Sequence, residues 1–119
     1  NSKLSLGSET EAPVTSASDI ALFFEMLYKG EIIDAKSSKK MIDILLRQQL
    51  NDRIPKYLPK EAKVAHKTGE IDFYKHDAGI VFSSKADYIM VVLSESNSPS
   101  GAAERMADLS KVVYEYFQY

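Results

Sequence analysis

Apolar positions along the chain change spacing near Lys60, from a helical period to short runs of strand length. Before that point, Ile20, Phe23, Phe24 and Leu27 recur at helical intervals. Ser16 suits the N-cap of that helix, with Asp19 three residues on, and Gly30 suits the position after its end. The spacing predicts a second helix near 36–50, capped by Asp34 or Ser37. Its apolar face is Met41, Ile42, Leu45, Leu46 and Gln49 or Leu50; Lys39, Lys40, Asp43 and Arg47 face water. Two prolines in 53–59 forbid a long regular element, leaving a turn anchored by Ile54, Tyr57 and Leu58.

After Lys60 the runs 63–68, 77–83 and 88–95 read as strands. The last, Tyr88-Ile89-Met90-Val91-Val92-Leu93, is apolar enough to be buried on both faces. Ser98-Pro99 opens a final helix whose buried stripe is Ala103, Met106, Leu109, Val113 and Phe117. Short links make the strands an antiparallel meander with the last helix across one face, an α+β class. The most apolar strand is then an edge, and long hydrophobic edges are normally paired or covered. A partner for 88–95 is therefore expected: a missing N-terminal half, or a second copy.

The chain's 119 residues suffice for one compact domain, with residues 1–14 as an extended, polar lead-in and 15–119 as the folded part. Lys plus Arg is 15 and Asp plus Glu is 17, so the net charge is −2, which argues against nucleic-acid binding through phosphates. Apolar residues are 45% and charged residues 27%, an ordinary globular balance. There is no cysteine, which removes disulfides, thiol catalysis and cysteine-ligated metals. Two histidines, His66 and His76, make a histidine-rich metal site unexpected; neither metal nor cofactor is implied. No signal peptide is visible in this stretch.

Lys67-Thr68-Gly69 is the short motif with chemistry attached. By itself the tripeptide is weak; its place on a strand, after two helices and a Pro-rich turn, strengthens it. Together with Thr15–Ala21, Leu27–Ile33, Arg53–Pro59, Ala65–Glu70 and His76–Val81, it makes the chain resemble the C-terminal half of the class A β-lactamase family, within the penicillin-recognising serine hydrolases. The resemblance runs over roughly residues 14–118.

That resemblance implies that Lys67 supplies positive charge to a substrate carboxylate and Thr68 a hydroxyl hydrogen bond. Gly69 would let a substrate backbone approach, and the backbone N–H of Glu70 would be one oxyanion-hole donor. The Glu70 side chain receives no role. The family's nucleophile belongs to a Ser-x-x-Lys motif upstream; Ser37-Ser38-Lys39-Lys40 has the spelling but sits at a helix start, out of order. Ser-Asp-Asn is absent, Ser18-Asp19-Ile20 sharing two letters, and neither Glu9 nor Glu11 is assigned the hydrolytic glutamate's role.

The expectation is a fragment of a larger extracytoplasmic serine hydrolase acting on β-lactams through an acyl-enzyme, the fragment alone being inactive. A D-Ala-D-Ala carboxypeptidase or transpeptidase acting on cell-wall peptides, and an inert binding module of the same fold, are the alternatives. His66 alternates away from Lys67 and reads as a structural histidine; His76 reads as a surface one, with a place at the cleft edge as the alternative. Phe73 and Tyr74 read as loop aromatics, able to cap a cleft, and Lys36, Lys39 and Lys40 as a solvated helix surface.

Overall fold

A computed structural model describes residues 15–119; the expected lead-in over 1–14 lies outside the described residues. Two helices, α1 (Ala17–Tyr28) and α2 (Ala35–Leu45), precede strands β1 (Lys63–Ile71), β2 (Tyr74–Phe82) and β3 (Tyr88–Glu95), and α3 (Pro99–Phe117) closes the chain. The sheet is antiparallel in the order β1-β2-β3, so β2 is central and β3 an edge.

Local chemistry sets the helix ends. The Ser16 side chain accepts from Asp19 N–H, and Asp34, not Ser37, caps α2 by accepting from Ser37 N–H. After α1, Gly30 takes φ 75°, and the N–H groups of Gly30 and Glu31 donate to Leu27 and Met26 carbonyls, closing a Schellman turn. The second helix is shorter than its apolar spacing predicts. It ends at Leu45, because Gln48 Oε1 accepts from both Gln49 and Leu50 N–H and turns the chain. Leu46 and Leu50 are consequently exposed.

The first two strands are longer than expected. They form a hairpin that runs to Ile71 opposite Tyr74 and turns on Asp72 and Phe73, with Asp72 at φ 50°. Tyr74 is therefore a strand residue and not part of a loop. Alternation gives the sheet two faces. Ala78 and Ile80 meet Phe24 and Leu27 of α1, with Met41, Ile42 and Leu45 of α2 around them. On the other face Val81, Tyr88 and Met90 pack with Ile54, Val113, Tyr114 and Phe117. The buried stripe of α3 is Ala102, Ala103, Met106, Ala107 and Ser110. Leu109, expected inside, faces out, since small residues and a Ser110 hydrogen bond to Ile54 carbonyl at 2.7 Å fix the helix rotation. In the Pro-rich turn Ile54 is buried as expected, whereas Tyr57 is exposed. The third strand is an edge whose Tyr88 and Met90 are buried and whose centre is half-buried rather than enclosed on both faces.

Candidate active site

The alternation of β1 sends Lys67, Gly69 and Ile71 to the α1 face and Thr68 and Glu70 to the α3 face. A groove of about 730 Å³ opens on the first of these faces. Ile20, Phe23 and Phe24 of α1 form one wall; Lys67, Thr68 and Gly69 form the other; His76 and Leu93 line its floor. Its lining is mostly apolar with few polar groups, the usual character of a small-molecule site. Among the described residues no serine lines it, and neither Ser37 nor Lys40 does. Ser38 is buried in structural bonds to the Ile32 carbonyl and N–H.

Gly69 has a notable environment. An added Cβ there would meet no atom within 4 Å, and its φ is not in the left-handed region. At Gly79, by contrast, a Cβ would lie 2.2 Å from Ala65 carbonyl oxygen and 2.6 Å from His66 Cβ. Packing therefore demands glycine at 79 and does not demand it at 69. Lys67 is exposed, and its ammonium curls back onto the Thr68 carbonyl.

The structure gathers further residues behind the motif. His66 is buried as expected: its Nδ1–H donates to Asp77 Oδ1 at 2.8 Å, and Nε2 lies 3.1 Å from the Asn51 side-chain amide. Asp77, fully buried, also accepts from Ile54 N–H and Ala78 N–H, each at 3.0 Å. This network clamps the 51–54 segment beneath β1. Arg53 is thereby held inside the protein, donating to Glu70 at 2.6 Å. The guanidinium holds the Glu70 carboxyl below the usual carboxylate range, and Lys75, 3.7 Å away, adds to the effect.

His76 corrects the expectation of a surface histidine. It sits opposite Gly69 in the groove, half-buried, with Nδ1 accepting from Ser94 N–H at 3.1 Å. Arg53 and Lys75 were not singled out by sequence reasoning; the one available signal was a cation beside a proline turn. Among the described residues no cluster of histidine, aspartate and glutamate could hold a metal ion, and no helix is long and apolar enough to cross a membrane.

A family model described as the β-lactamase enzyme family matches residues 2–117. No curated protein matches the chain significantly. Among solved structures, a β-lactamase from Sphaerobacter thermophilus is 21% identical with a TM-score of 0.84, over 94% of this chain and 44% of that one. PBP-A is 33% identical with a TM-score of 0.80, over 87% of this chain and 40% of its own; a mutant of it is an acyl-enzyme complex with penicillin G. A class A β-lactamase from Bacteroides cellulosilyticus is 23% identical with a TM-score of 0.76, over 87% and 41%. The chain thus spans less than half the length of these relatives.

Proposed function

The chain belongs to the β-lactamase enzyme family, and from that premise we propose that it is the C-terminal, substrate-binding portion of a serine hydrolase that opens β-lactams through an acyl-enzyme. The observation that carries this reading is Gly69: nothing in the fold requires a glycine there, and its bare face opens into the groove beside Lys67. A strand without a side chain at that point admits a ligand backbone.

In this reading a serine upstream attacks the lactam carbonyl, the carbon–nitrogen bond breaks as the nitrogen takes a proton, and water hydrolyses the resulting ester. Lys67 uncurls from the Thr68 carbonyl to meet the substrate carboxylate, and the Thr68 hydroxyl, on the opposite face of β1, reaches that group only around the strand's open edge. The Glu70 N–H stabilises the oxyanion. The missing half of the domain pairs with β3, whose edge the described residues leave open. The enzyme would act outside the cytoplasmic membrane, where cell-wall precursors and β-lactams meet it, and would confer resistance to the latter.

One observation favours a second reading. PBP-A, at 33% identity, has a mutant whose structure is an acyl-enzyme complex with penicillin G. An enzyme that acylates and then releases its acyl group slowly would suit a D-Ala-D-Ala carboxypeptidase or transpeptidase acting on cell-wall peptides. Intact mass of the full-length gene product after exposure to penicillin G separates the cases. A transient adduct with turnover supports the β-lactamase, a lasting adduct supports the second reading, and no adduct overturns both in favour of an inert module. Lys67→Ala should slow acylation roughly 10–100-fold, the worth of one charge-assisted bond of about 1.5–3 kcal/mol.

A further inference from the structure

A separate cavity of about 440 Å³ lies at the opposite end of β1 from Gly69, bounded by the end of α1, by α2, by Lys63 and by Phe82. Its volume is within the roughly 300–1,000 Å³ of small-molecule sites. Among the described residues none lines both it and the groove. Leu27, Ile42, Leu46 and Phe82 give it apolar walls, and its charged residues are Lys39 and Lys63. The walls are held in place: Leu27 is fully buried, and Tyr28 stacks on Phe82 with ring centroids 6.0 Å apart. The hydroxyls along the wall are already committed. Tyr28 donates to Asp87 at 2.7 Å, and Ser38 accepts from the Ile32 N–H at 3.0 Å and donates to the Ile32 carbonyl at 2.9 Å. Polar recognition is therefore left to two ammonium groups. Both lysines are exposed, and among the described residues neither has an ion-pair partner.

We propose that this cavity binds a single-chain amphiphilic carboxylate, with the hydrocarbon body against the apolar walls and the head met by Lys39 and Lys63. The inference is independent of the hydrolase reading. Charge and polarity select the occupant. A small anion such as phosphate leaves the walls bare, and a neutral hydrocarbon leaves both ammonium groups without a counter-ion. A sugar or nucleotide brings polar groups that find no partner on walls whose hydroxyls are taken. A cavity of this size takes one chain, whereas a bilayer or a folded partner engages a broad surface. Lys39 shares one stripe of α2 with Ile42 and Leu46 at helical spacing, so head and chain fit along the same side of the helix. Lys36 and Lys40 do not line the cavity. The basic patch of α2 thus divides into two solvated lysines and one that serves the site together with Lys63 of β1.

Titration calorimetry of the full-length gene product with dodecanoate, kept below its micelle range, tests this. One site per chain should saturate. Decanoate should bind roughly 10–20-fold more weakly than dodecanoate, the worth of two buried methylenes. Lys39→Ala/Lys63→Ala should weaken dodecanoate about tenfold, the combined worth of two exposed charge contacts, and leave decanol binding unchanged. Lys36→Ala/Lys40→Ala, on the same helix but outside the cavity, should stay within about twofold of wild type. Leu46→Trp, which puts a larger side chain into the cavity from an exposed position, should abolish binding. Failure to saturate overturns the proposal, and it is the result expected if the upstream half or a second copy fills the cavity. Equal affinity for the two chain lengths overturns it as well, as does wild-type affinity in Lys39→Ala/Lys63→Ala or in Leu46→Trp.

Discussion

Replacing Asp77 tests whether the segment under β1 is held by polar bonds or merely by packing. The carboxylate is fully buried and accepts from His66 Nδ1–H at 2.8 Å and from Ile54 N–H at 3.0 Å. It also accepts from Ala78 N–H at 3.0 Å, a bond within its own strand. In Asp77→Ala the first two donors lose their acceptor in a place that water does not reach. At about 1–3 kcal/mol for each orphaned buried group, the two cost about 2–6 kcal/mol. Folded domains hold roughly 5–15 kcal/mol in all, so the variant should sit near the edge of folding. Asp77→Asn retains one acceptor oxygen and should lose about half as much. Urea unfolding followed by far-ultraviolet circular dichroism gives both values, with the exposed Asp43→Ala as a control expected within about 0.5 kcal/mol of wild type. A loss below about 1 kcal/mol in Asp77→Ala would refute the argument, since it would mean the donors find other partners or were never isolated from water.

Gly79→Ala should destabilise the protein by about 1–3 kcal/mol, because the new methyl meets Ala65 carbonyl oxygen at 2.2 Å and backbone cannot step aside as a side chain can; thermal unfolding reads this. Gly30→Ala should cost about 1–2 kcal/mol by forcing a Cβ into φ 75° at the end of α1, again read by unfolding. Burial, with the neighbouring Tyr114 contributing, pushes the Tyr88 hydroxyl up to about 12 from the ordinary value near 10. Its neutral form is thus favoured in the folded protein, so the associated stability is complete below pH 10 and fades as pH rises towards 12. Absorbance at about 295 nm should show one of the seven tyrosines ionising late and together with unfolding; Tyr88→Phe should remove that late step.

What could be read from sequence depended on the range of the interactions involved. The caps at Ser16 and Asp34, proline at the start of α3 and the hairpin order are written within a few residues of where they act. Apolar periodicity located all three helices and three strands. It overran at α2, where Gln48 turns the chain through its own side chain, a bond that hydrophobicity does not register. It misplaced Leu109, because alanines and a serine, rather than large apolar residues, seat α3 against the sheet. The burial of His66, on the face opposite Lys67, followed from strand alternation. Arg53 did not, because burying a guanidinium depends on Glu70, 17 residues away in sequence, and on Lys75 across the hairpin. His76 was misjudged for a similar reason: its partner, Ser94 N–H, belongs to another strand.

Those long-range bonds link the stability of the α3 face to the geometry of the groove. Ile54 is fixed at both ends, its N–H by Asp77 and its carbonyl by Ser110. Arg53 precedes Ile54 and so cannot shift independently of these two anchors, and Arg53 in turn holds the Glu70 carboxylate. Glu70 adjoins Gly69. A change on α3 should therefore be felt at the strand that carries Lys67, with no contact between them. Ser110→Ala removes one anchor, leaves the Ile54 carbonyl without its bond and should cost about 1 kcal/mol. It should also displace the amide resonances of Arg53 and Glu70, whereas Ser100→Ala, exposed at the start of the same helix, should leave them in place. If Ser110→Ala destabilises the protein while Arg53 and Glu70 keep their resonances, the serine only glues the helix to the turn, and the position of the guanidinium is set by Asp77 and the sheet alone.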